Sequence, residues 1–196
     1  MTLRTKFASV AYTEKLILWP NVIDKYLLPD QNSYANARLK GLDATRVSVV
    51  GNLMVDAVTS QMPPQEIRER LGLSTLSSVV SLLPGSKPFK VKYATPLLLK
   101  IADYIAKKKP DTQFIISQSP YTPLYQIVGS VTDEKYVNAL DGTFARFGRT
   151  KTGNALVTEQ GTVINIIPPE FQYEAYQISD VAITLPGTNT AELAIL

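Results

Sequence analysis

The 196-residue chain contains neither cysteine nor histidine. Without cysteine it can form no disulfide, no thiolate nucleophile and no cysteine-ligated zinc site. Without histidine it lacks the side chain that most often acts as a general base near neutral pH and as a ligand for transition metals. Any chemistry of this chain must therefore use carboxylates, lysines or hydroxyls, and we expect no metal site.

Excess charge and long apolar runs are also scarce. The chain has 20 Lys and Arg residues against 17 Asp and Glu, a net charge of +3, which suits anionic small ligands but is too small for a nucleic-acid interface. No apolar run approaches the ~20 residues of a membrane span, and "MTLRTKFASV" is too polar for a secretory signal. We therefore predict a cytoplasmic globular protein that binds no nucleic acid.

Short apolar strands alternate with helical patterns along the chain. Helices are predicted in "DQNSYANARLKG", in "PPQEIRERLG" and in "TPLLLKIADYIAKKKPD", the last with Pro96 in its first turn. Such alternation is typical of a Rossmann-like α/β fold, a parallel sheet with helices on both faces. The strands expected to be parallel neighbours are Val47–Val50, Val79–Leu83, Phe114–Ser117 and Val181–Leu185. Two further apolar runs, Leu16–Trp19 and Tyr26–Leu28, are each ended by proline and are predicted to be strands or a buried strand–loop–strand passage.

The pattern changes between Asp141 and Pro168. Two β-rich runs there flank Glu159, Gln160 and Gly161 in "ALVTEQGTVINII". A glycine-containing turn between two such runs predicts a β-hairpin or an additional pair of strands.

Two strands run into the same turn sequence, in "VVSLLPGS" and "VAITLPGT". In α/β sheets, ligands bind beyond the carboxyl ends of the strands. Glycine there lets the backbone approach a ligand, the hydroxyl of Ser86 or Thr188 can donate to a phosphate, and a following helix adds N–H groups and a positive dipole end. Lys87, with Lys90 and Lys92 nearby, adds positive charge. Together the turns favour an anion site.

Each of these features has a structural alternative. A Ser or Thr after a Pro-Gly turn often only caps a helix, and a P-loop is excluded because Ser81 and Pro88 stand where its glycine and hydroxyl belong. Glu192, five residues after Gly187, can reach a ribose held at the turn or can simply complement a helix dipole. Asp56 and Asp180 are interpreted as caps or turn residues.

Three segments carry a resemblance to a known family: "VVGNLMVDAV", "VSLLPGSK" and "SDVAITLPGTNTAELAIL". Their order and spacing resemble lipid-A-disaccharide synthase and the wider class of two-domain B-type glycosyltransferases. The resemblance covers roughly Arg46 to Leu196. It implies an incomplete nucleotide-sugar (donor) domain at 46–196, and a remnant of the N-terminal domain with the interdomain link at 1–45, in a truncated chain.

The resemblance also implies roles for the two turns. In such enzymes these positions hold the diphosphate and ribose of a UDP-sugar, which assigns that role to Ser86, Lys87, Gly187, Thr188 and Glu192. Two departures are that Lys87 replaces the usual Arg, which loses its bidentate fork, and that Pro186 replaces a serine. With two neighbours from the same turns, the candidate set is Gly85, Ser86, Lys87, Gly187, Thr188, Asn189 and Glu192.

The function implied by the resemblance is transfer of a sugar from a UDP carrier to a lipid-linked or saccharide acceptor, with no separate cofactor. The family's catalytic acid or base lies largely in the N-terminal domain, so no catalytic residue is assigned and the fragment alone is expected to be inactive. Peripheral contact with a membrane is expected for the whole protein. Two alternatives stay open: a non-catalytic nucleotide-sugar binding module, and a UDP-sugar epimerase of the same fold.

Overall fold

A computed structural model describes residues 23–196. The chain forms two compact units, Met1–Ala57 and Val58–Leu196, which are described separately. The predicted strand at Leu16–Trp19 lies outside the described residues. The predicted domain division at 45/46 stays a prediction.

The described part of the first unit contains a two-stranded parallel sheet. Strand β1 (Tyr26–Leu28) pairs with β2 (Val47–Val49), and helix α1 (Gln31–Leu39) connects them after an N-cap in which Ser33 N–H donates to Asp30 Oδ1 at 2.6 Å. A 3₁₀ turn at Ala44–Arg46 precedes β2, and α2 (Leu53–Ala57) follows it. The buried core of this unit consists of Ile23, Tyr26, Leu28, Ala37, Leu42 and Val47.

The prediction that Val47–Val50 joins the main sheet is wrong. The strand is three residues long and only Val47 is buried, whereas Val49 and Val50 are exposed. Its partner β1 offers Tyr26 and Leu28, both almost fully buried in the same small core. The β-branched residues of Val47–Val50 correctly indicated a strand, but such a pattern does not say which strand is its partner. Pairing with β1 already buries Val47, the apolar end of the strand.

The second unit is built on a six-stranded sheet in the order β5-β6-β7-β4-β3-β8. All neighbouring pairs are parallel except β5–β6 and β6–β7, so β6 alone runs against the others. The predicted α/β fold, the three parallel neighbours β4, β3 and β8 and the hairpin around Gly161 are confirmed. The strands are β3 (Val79–Leu83), β4 (Gln113–Ser117), β5 (Ala145–Arg149), β6 (Asn154–Thr158), β7 (Val163–Ile167) and β8 (Val181–Thr184).

Helices cover both faces of this sheet because successive strand residues point to opposite sides. Leu82, Phe114 and Ile116 pack beneath helices α4 and α5, whereas Val79, Ile115 and Ile167 pack beneath α3 and α7. The helices are α3 (Pro64–Arg70), α4 (Pro88–Lys108), α5 (Leu124–Thr132), α6 (Glu134–Ala139), α7 (Gln172–Gln177), which follows a 3₁₀ turn at Pro169–Phe171, and α8 (Thr188–Leu193).

Helix α4 begins earlier than the sequence suggested. It starts at Pro88, so Pro96 lies inside the helix rather than in its first turn. Pro88 is tolerated because the first helical residue needs no N–H acceptor within the helix. The carbonyl group of Pro96 has a hydrogen-bond donor outside the helix, because Thr143 N–H donates to Pro96 O at 3.0 Å. Among the helices within 23–196, none is both long enough and apolar enough to cross a membrane.

Candidate functional site

The two Leu-Pro-Gly turns lie side by side at one edge of the sheet. They follow β3 and β8, which are parallel neighbours with Leu83 paired to Thr184 at their carboxyl ends. A cleft of about 600 Å³ opens between the turns. All seven candidate residues line it: Gly85, Ser86, Lys87, Gly187, Thr188, Asn189 and Glu192. The sequence therefore identified residues that share one cavity, although a bound ligand stays a prediction.

The first turn leads directly into the longest helix of the described chain. Gly85 has φ of +93°, a left-handed conformation that favours glycine. Ser86 O accepts a hydrogen bond from Thr122 Oγ1 at 3.1 Å, which ties the turn to the loop after β4. Lys87 is the N-cap of α4, and no side chain among the described residues caps this helix end. Its first N–H groups and the positive end of its dipole are therefore available to an anion.

The second turn is held by its own side chains. Asn189 Nδ2 donates to Thr184 Oγ1 at 2.7 Å, and Thr184 Oγ1 donates to Leu185 O at 2.9 Å. Asn189 thus shapes the turn, while Gly187, with φ of 175°, is extended backbone. The two turns are joined directly because Lys90 Nζ donates to Pro186 O at 3.1 Å.

Glu192 faces side chains of α7 across the cleft. Gln172 Nε2 donates to Glu192 Oε2 at 3.3 Å. Burial raises the pKa of the Glu192 carboxyl above its usual value, and the hydrogen bond from Gln172 partly offsets that rise. The pKa values of Tyr173 and Tyr176 are also raised, first by burial and then by the negative charge of Glu192. One carboxylate therefore sits in a partly desolvated, aromatic corner of the cleft.

Sequence reasoning missed two groups of lining residues. Gln172, Tyr173 and Tyr176 come from α7, and the cleft's remaining wall comes from the loop after β4. Ser117 ends a parallel strand of the same sheet, so the strand-end rule that found the turns also applied to it. The α7 residues gave no such signal, because their position depends on how that helix packs across the sheet.

Neither of the two aspartates interpreted as structural residues is among the residues that line the cleft. Asp180 Oδ2 accepts from Val79 N–H at 2.7 Å and lies 3.6 Å from Arg68 Nη2, so it fixes the start of β3. Asp56 is in the first turn of α2. Within residues 23–196, no group of three or more acidic side chains comes together that could hold a metal ion.

A larger cleft of about 790 Å³ contains none of the candidate residues. Its lining includes Gln113 and Val163, the first residues of β4 and β7. Ligands of α/β sheets bind at the opposite edge, beyond the carboxyl ends of the strands. We therefore take the cleft between the turns as the candidate functional site despite its smaller volume.

The sheet, its crossover helices and the cleft at its carboxyl edge define a Rossmann-like domain of the glycosyltransferase-B type. A solved structure with this architecture is the UDP-GlcNAc 2-epimerase from Methanocaldococcus jannaschii. It matches with a TM-score of 0.52 and 16% sequence identity, over 91% of this chain and 46% of that one. At this identity the likeness establishes the fold.

The sequence carries the family assignment. The family model for lipid-A-disaccharide synthetase matches residues 39–136, half of the chain. Lipid-A-disaccharide synthase of Persephonella marina is 31% identical over 61% of this chain and 29% of its own length, and that of Gloeothece citriformis is 28% identical over 63% and 35%. The chain belongs to the lipid-A-disaccharide synthetase family, whose members are glycosyltransferases. It spans about a third of the length of these curated relatives.

Proposed function

We propose that this chain forms the UDP-sugar-binding part of a lipid-A-disaccharide synthase-like glycosyltransferase that acts on a lipid-type acceptor. The observation that supports it best is the convergence of both Leu-Pro-Gly turns and Glu192 on one cleft. The family membership supports the reaction class. The identity of the UDP-sugar and the transfer of its sugar are part of the proposal.

The cleft suits the two polar parts of a UDP-sugar. In the proposal, Ser86, Thr188 and the free N–H groups of α4 hold the diphosphate, and Lys87 contributes charge. The Glu192 carboxylate accepts hydrogen bonds from the ribose hydroxyls. During transfer, the bond between the sugar and the diphosphate oxygen breaks, a bond forms between the sugar and the acceptor oxygen, and the hydroxyl proton passes to a base, for which no residue of this chain is assigned. The same donors then stabilise the negative charge that develops on the departing UDP.

Substitution of Glu192 tests its proposed role. Glu192→Ala is expected to weaken UDP binding by about 1.5–3 kcal/mol, the range for a hydrogen bond to a charged group. Glu192→Gln is expected to cost less because the amide keeps an acceptor oxygen. The matched control is Glu134→Ala, which removes an acidic residue from the first turn of α6 and should leave UDP affinity unchanged.

The competing structural role makes a different prediction for the same variants. The dipole role expected from the sequence is wrong, because α8 has no acidic residue in its first turn and Glu192 is its next-to-last residue. If Glu192 serves only to accept the hydrogen bond from Gln172, Glu192→Ala lowers the free energy of unfolding by about 0.5–1.5 kcal/mol and leaves UDP affinity unaltered. Titration calorimetry with UDP, together with urea unfolding, separates the two roles. Equal UDP affinity in wild type and Glu192→Ala would refute the ribose contact.

Two other functions are compatible with parts of the site. Lys87 and Pro186 replace an arginine and a serine of the family pattern, which favours a binding module without turnover. The fold shared with the epimerase favours an epimerase, although the chain has no histidine. Because this chain alone is expected to be inactive, the test is incubation of the whole protein with UDP-GlcNAc: a transferase consumes it only with an acceptor, an epimerase converts it without one, and a binding module leaves it intact.

Peripheral membrane contact is the remaining part of the proposal, and the outer face of α4 supports it. That helix carries five lysines, of which Lys90 lines the cleft and Lys100 pairs with Asp141 at 2.7 Å, and its one carboxylate, Asp103, is buried. Lysines beside exposed apolar side chains are typical of helices that lie on anionic bilayers. The exposed apolar residues are Phe89, Tyr93, Leu97, Ile101 and Tyr104.

Vesicle sedimentation tests this contact. Wild type should sediment with vesicles that contain phosphatidylglycerol and less with phosphatidylcholine alone, and Leu97→Ser with Ile101→Ser should reduce that binding. Leu76→Ser, at a residue 96% exposed elsewhere on the same unit, is the matched control. Equal binding of the double variant would rule out the α4 face.

A further inference from the structure

Lys90 is the residue that connects the two turns of the cleft. It lies in the first turn of α4, and its Cδ is 3.6 Å from the position that a Cβ on Gly85 would occupy. Its aliphatic chain therefore passes over the first turn. Its ammonium reaches the second turn, where it donates to Pro186 O at 3.1 Å. The charge is thus held between the two turns that face the cleft.

The charges around the cleft are few. Of the described residues that line it, Lys87 and Lys90 are the cations and Glu192 is the anion. Lys92, only two residues away, is not part of the lining, since its Nζ lies 4.4 Å from the centre of the Tyr136 ring. An anion bound between the turns therefore lies in a cleft that is lined by two lysines.

We propose that Lys90 determines the selectivity of this cleft for nucleoside diphosphates over nucleoside monophosphates and nucleosides. This inference rests on the proposed function and assigns its phosphate selectivity to a residue outside the turns themselves. In the free protein the Lys90 ammonium donates to a neutral carbonyl. A hydrogen bond to an ionised phosphate is about twice as strong as one to a neutral acceptor, so a phosphate between the turns takes the ammonium from Pro186 O. Lys87 and the N–H groups of α4 bind one phosphate, and Lys90 donates a hydrogen bond to the second.

The experiment measures binding of UDP, UMP and uridine to the 196-residue chain by titration calorimetry. Lys90→Met, which keeps the apolar stem and removes the charge, should weaken UDP binding about tenfold or more. It should weaken UMP binding less and leave uridine binding unchanged. Lys92→Met, the matched control in the same helix, should leave all three affinities at their wild-type values. The decline of UDP affinity with added salt should also be shallower in Lys90→Met.

A second variant separates charge from a purely structural link between the turns. Lys90→Gln keeps a donor for Pro186 O but has no charge, so it should weaken UDP binding as Lys90→Met does. Wild-type UDP affinity in Lys90→Gln would overturn the inference, as would an equal loss of uridine affinity in Lys90→Met. Wild type that binds uridine but prefers UMP or shows no preference would also refute it while leaving the ribose site intact. Wild type that binds none of the three ligands would refute the proposed function itself.

Discussion

At the level of single residues, the ionisation of Glu192 links the cleft to pH in the acidic range. Its pKa is raised from the usual 4.5, chiefly by burial, so the folded protein binds a proton there more readily than the unfolded chain. Stability from this effect is fully present below the unfolded pKa and is lost as pH rises through the folded pKa. Ligand binding has the opposite dependence, because the ionised carboxylate is the better acceptor for ribose hydroxyls.

Uridine affinity should therefore depend on the charge of Glu192. Uridine carries no phosphate, so its own charge does not change in the acidic range. We expect the affinity for uridine to fall when the pH is lowered through the pKa of Glu192, which lies above the usual value of 4.5. In Glu192→Gln the same titration should be flat. Calorimetry at several pH values measures the uridine affinity of wild type and of Glu192→Gln. A pH-independent affinity in wild type would contradict the proposed contact between Glu192 and the ribose.

Among the structural elements, α4 makes an unusually close contact with the segment before β5. A Cβ added at Gly142 would lie 2.5 Å from Pro96 Cβ and 3.2 Å from Pro96 C. Neither neighbour can move easily, since one is a proline ring and the other is backbone inside a helix. Position 142 therefore has no room for a side chain larger than that of glycine.

Gly142→Ala should lower the free energy of unfolding by about 1–3 kcal/mol, the usual cost of overpacking. Gly148→Ala in β5, where an added Cβ meets no atom within 4 Å, should change it by no more than about 0.5–1 kcal/mol and in the stabilising direction. Urea unfolding of the two variants provides the comparison. Similar unfolding free energies for the two variants would mean that the segment before β5 shifts to accommodate the methyl group at position 142.

A buried hydrogen bond fixes the β6–β7 hairpin to the same helix. Thr158 Oγ1 donates to Asp103 Oδ1 at 2.7 Å, and both residues are at least 96% buried. Within residues 23–196, Asp103 Oδ2 has no hydrogen-bond partner. The Thr158 hydroxyl is therefore the principal compensation for burying this carboxyl group.

Thr158→Val should cost about 1–3 kcal/mol of unfolding free energy, because it leaves the Asp103 carboxyl without that donor. Thr132→Val, which removes an exposed hydroxyl bonded to Val128 O, should cost no more than about 0.5 kcal/mol. A loss in Thr158→Val as small as in the control would show that water replaces the missing donor.

The sequence predicted the positions of helices and strands better than it predicted which of them pair or pack together. Gly41 and Gly72 ended helices as expected because both have positive φ, and the hairpin at Gly161 formed where two β-rich runs met a glycine turn. These signals are local. The pairing of β2 with β1, and the placement of Pro96 inside α4, depend on which buried surfaces meet, which no short window of sequence contains.

The candidate site divides in the same way. The seven predicted residues lie on two repeated turns, and the parallel pairing of β3 with β8 brings those turns together. Gln172, Tyr173 and Tyr176 belong to a helix whose position is set by packing against Ile167 and Ile178. The effect of Gln172 on the pKa of Glu192, and the contribution of all three residues to the wall of the cleft, follow from tertiary structure alone.

For the molecule as a whole, the second unit contains every residue that the proposal uses. Its sheet, both turns, α4 and α7 lie within Val58–Leu196. The family model, in contrast, matches residues 39–136 and does not include the second turn or Glu192. The proposed nucleotide site thus depends on a part of the chain beyond the matched segment, and a binding measurement tests it independently of the family assignment.

Titration calorimetry of the 196-residue chain with UDP shows whether the cleft between the two turns binds a nucleotide, and Gly187→Val is the variant for comparison. A valine at this turn places a branched side chain beside Asn189 Oδ1, which lies 3.1 Å from the Cβ position, and narrows the approach to the backbone. We expect saturable binding of one UDP per chain in wild type, and a loss of binding in Gly187→Val while circular dichroism shows that the fold is retained. Absence of UDP binding in wild type, or equal binding in both proteins, would contradict it.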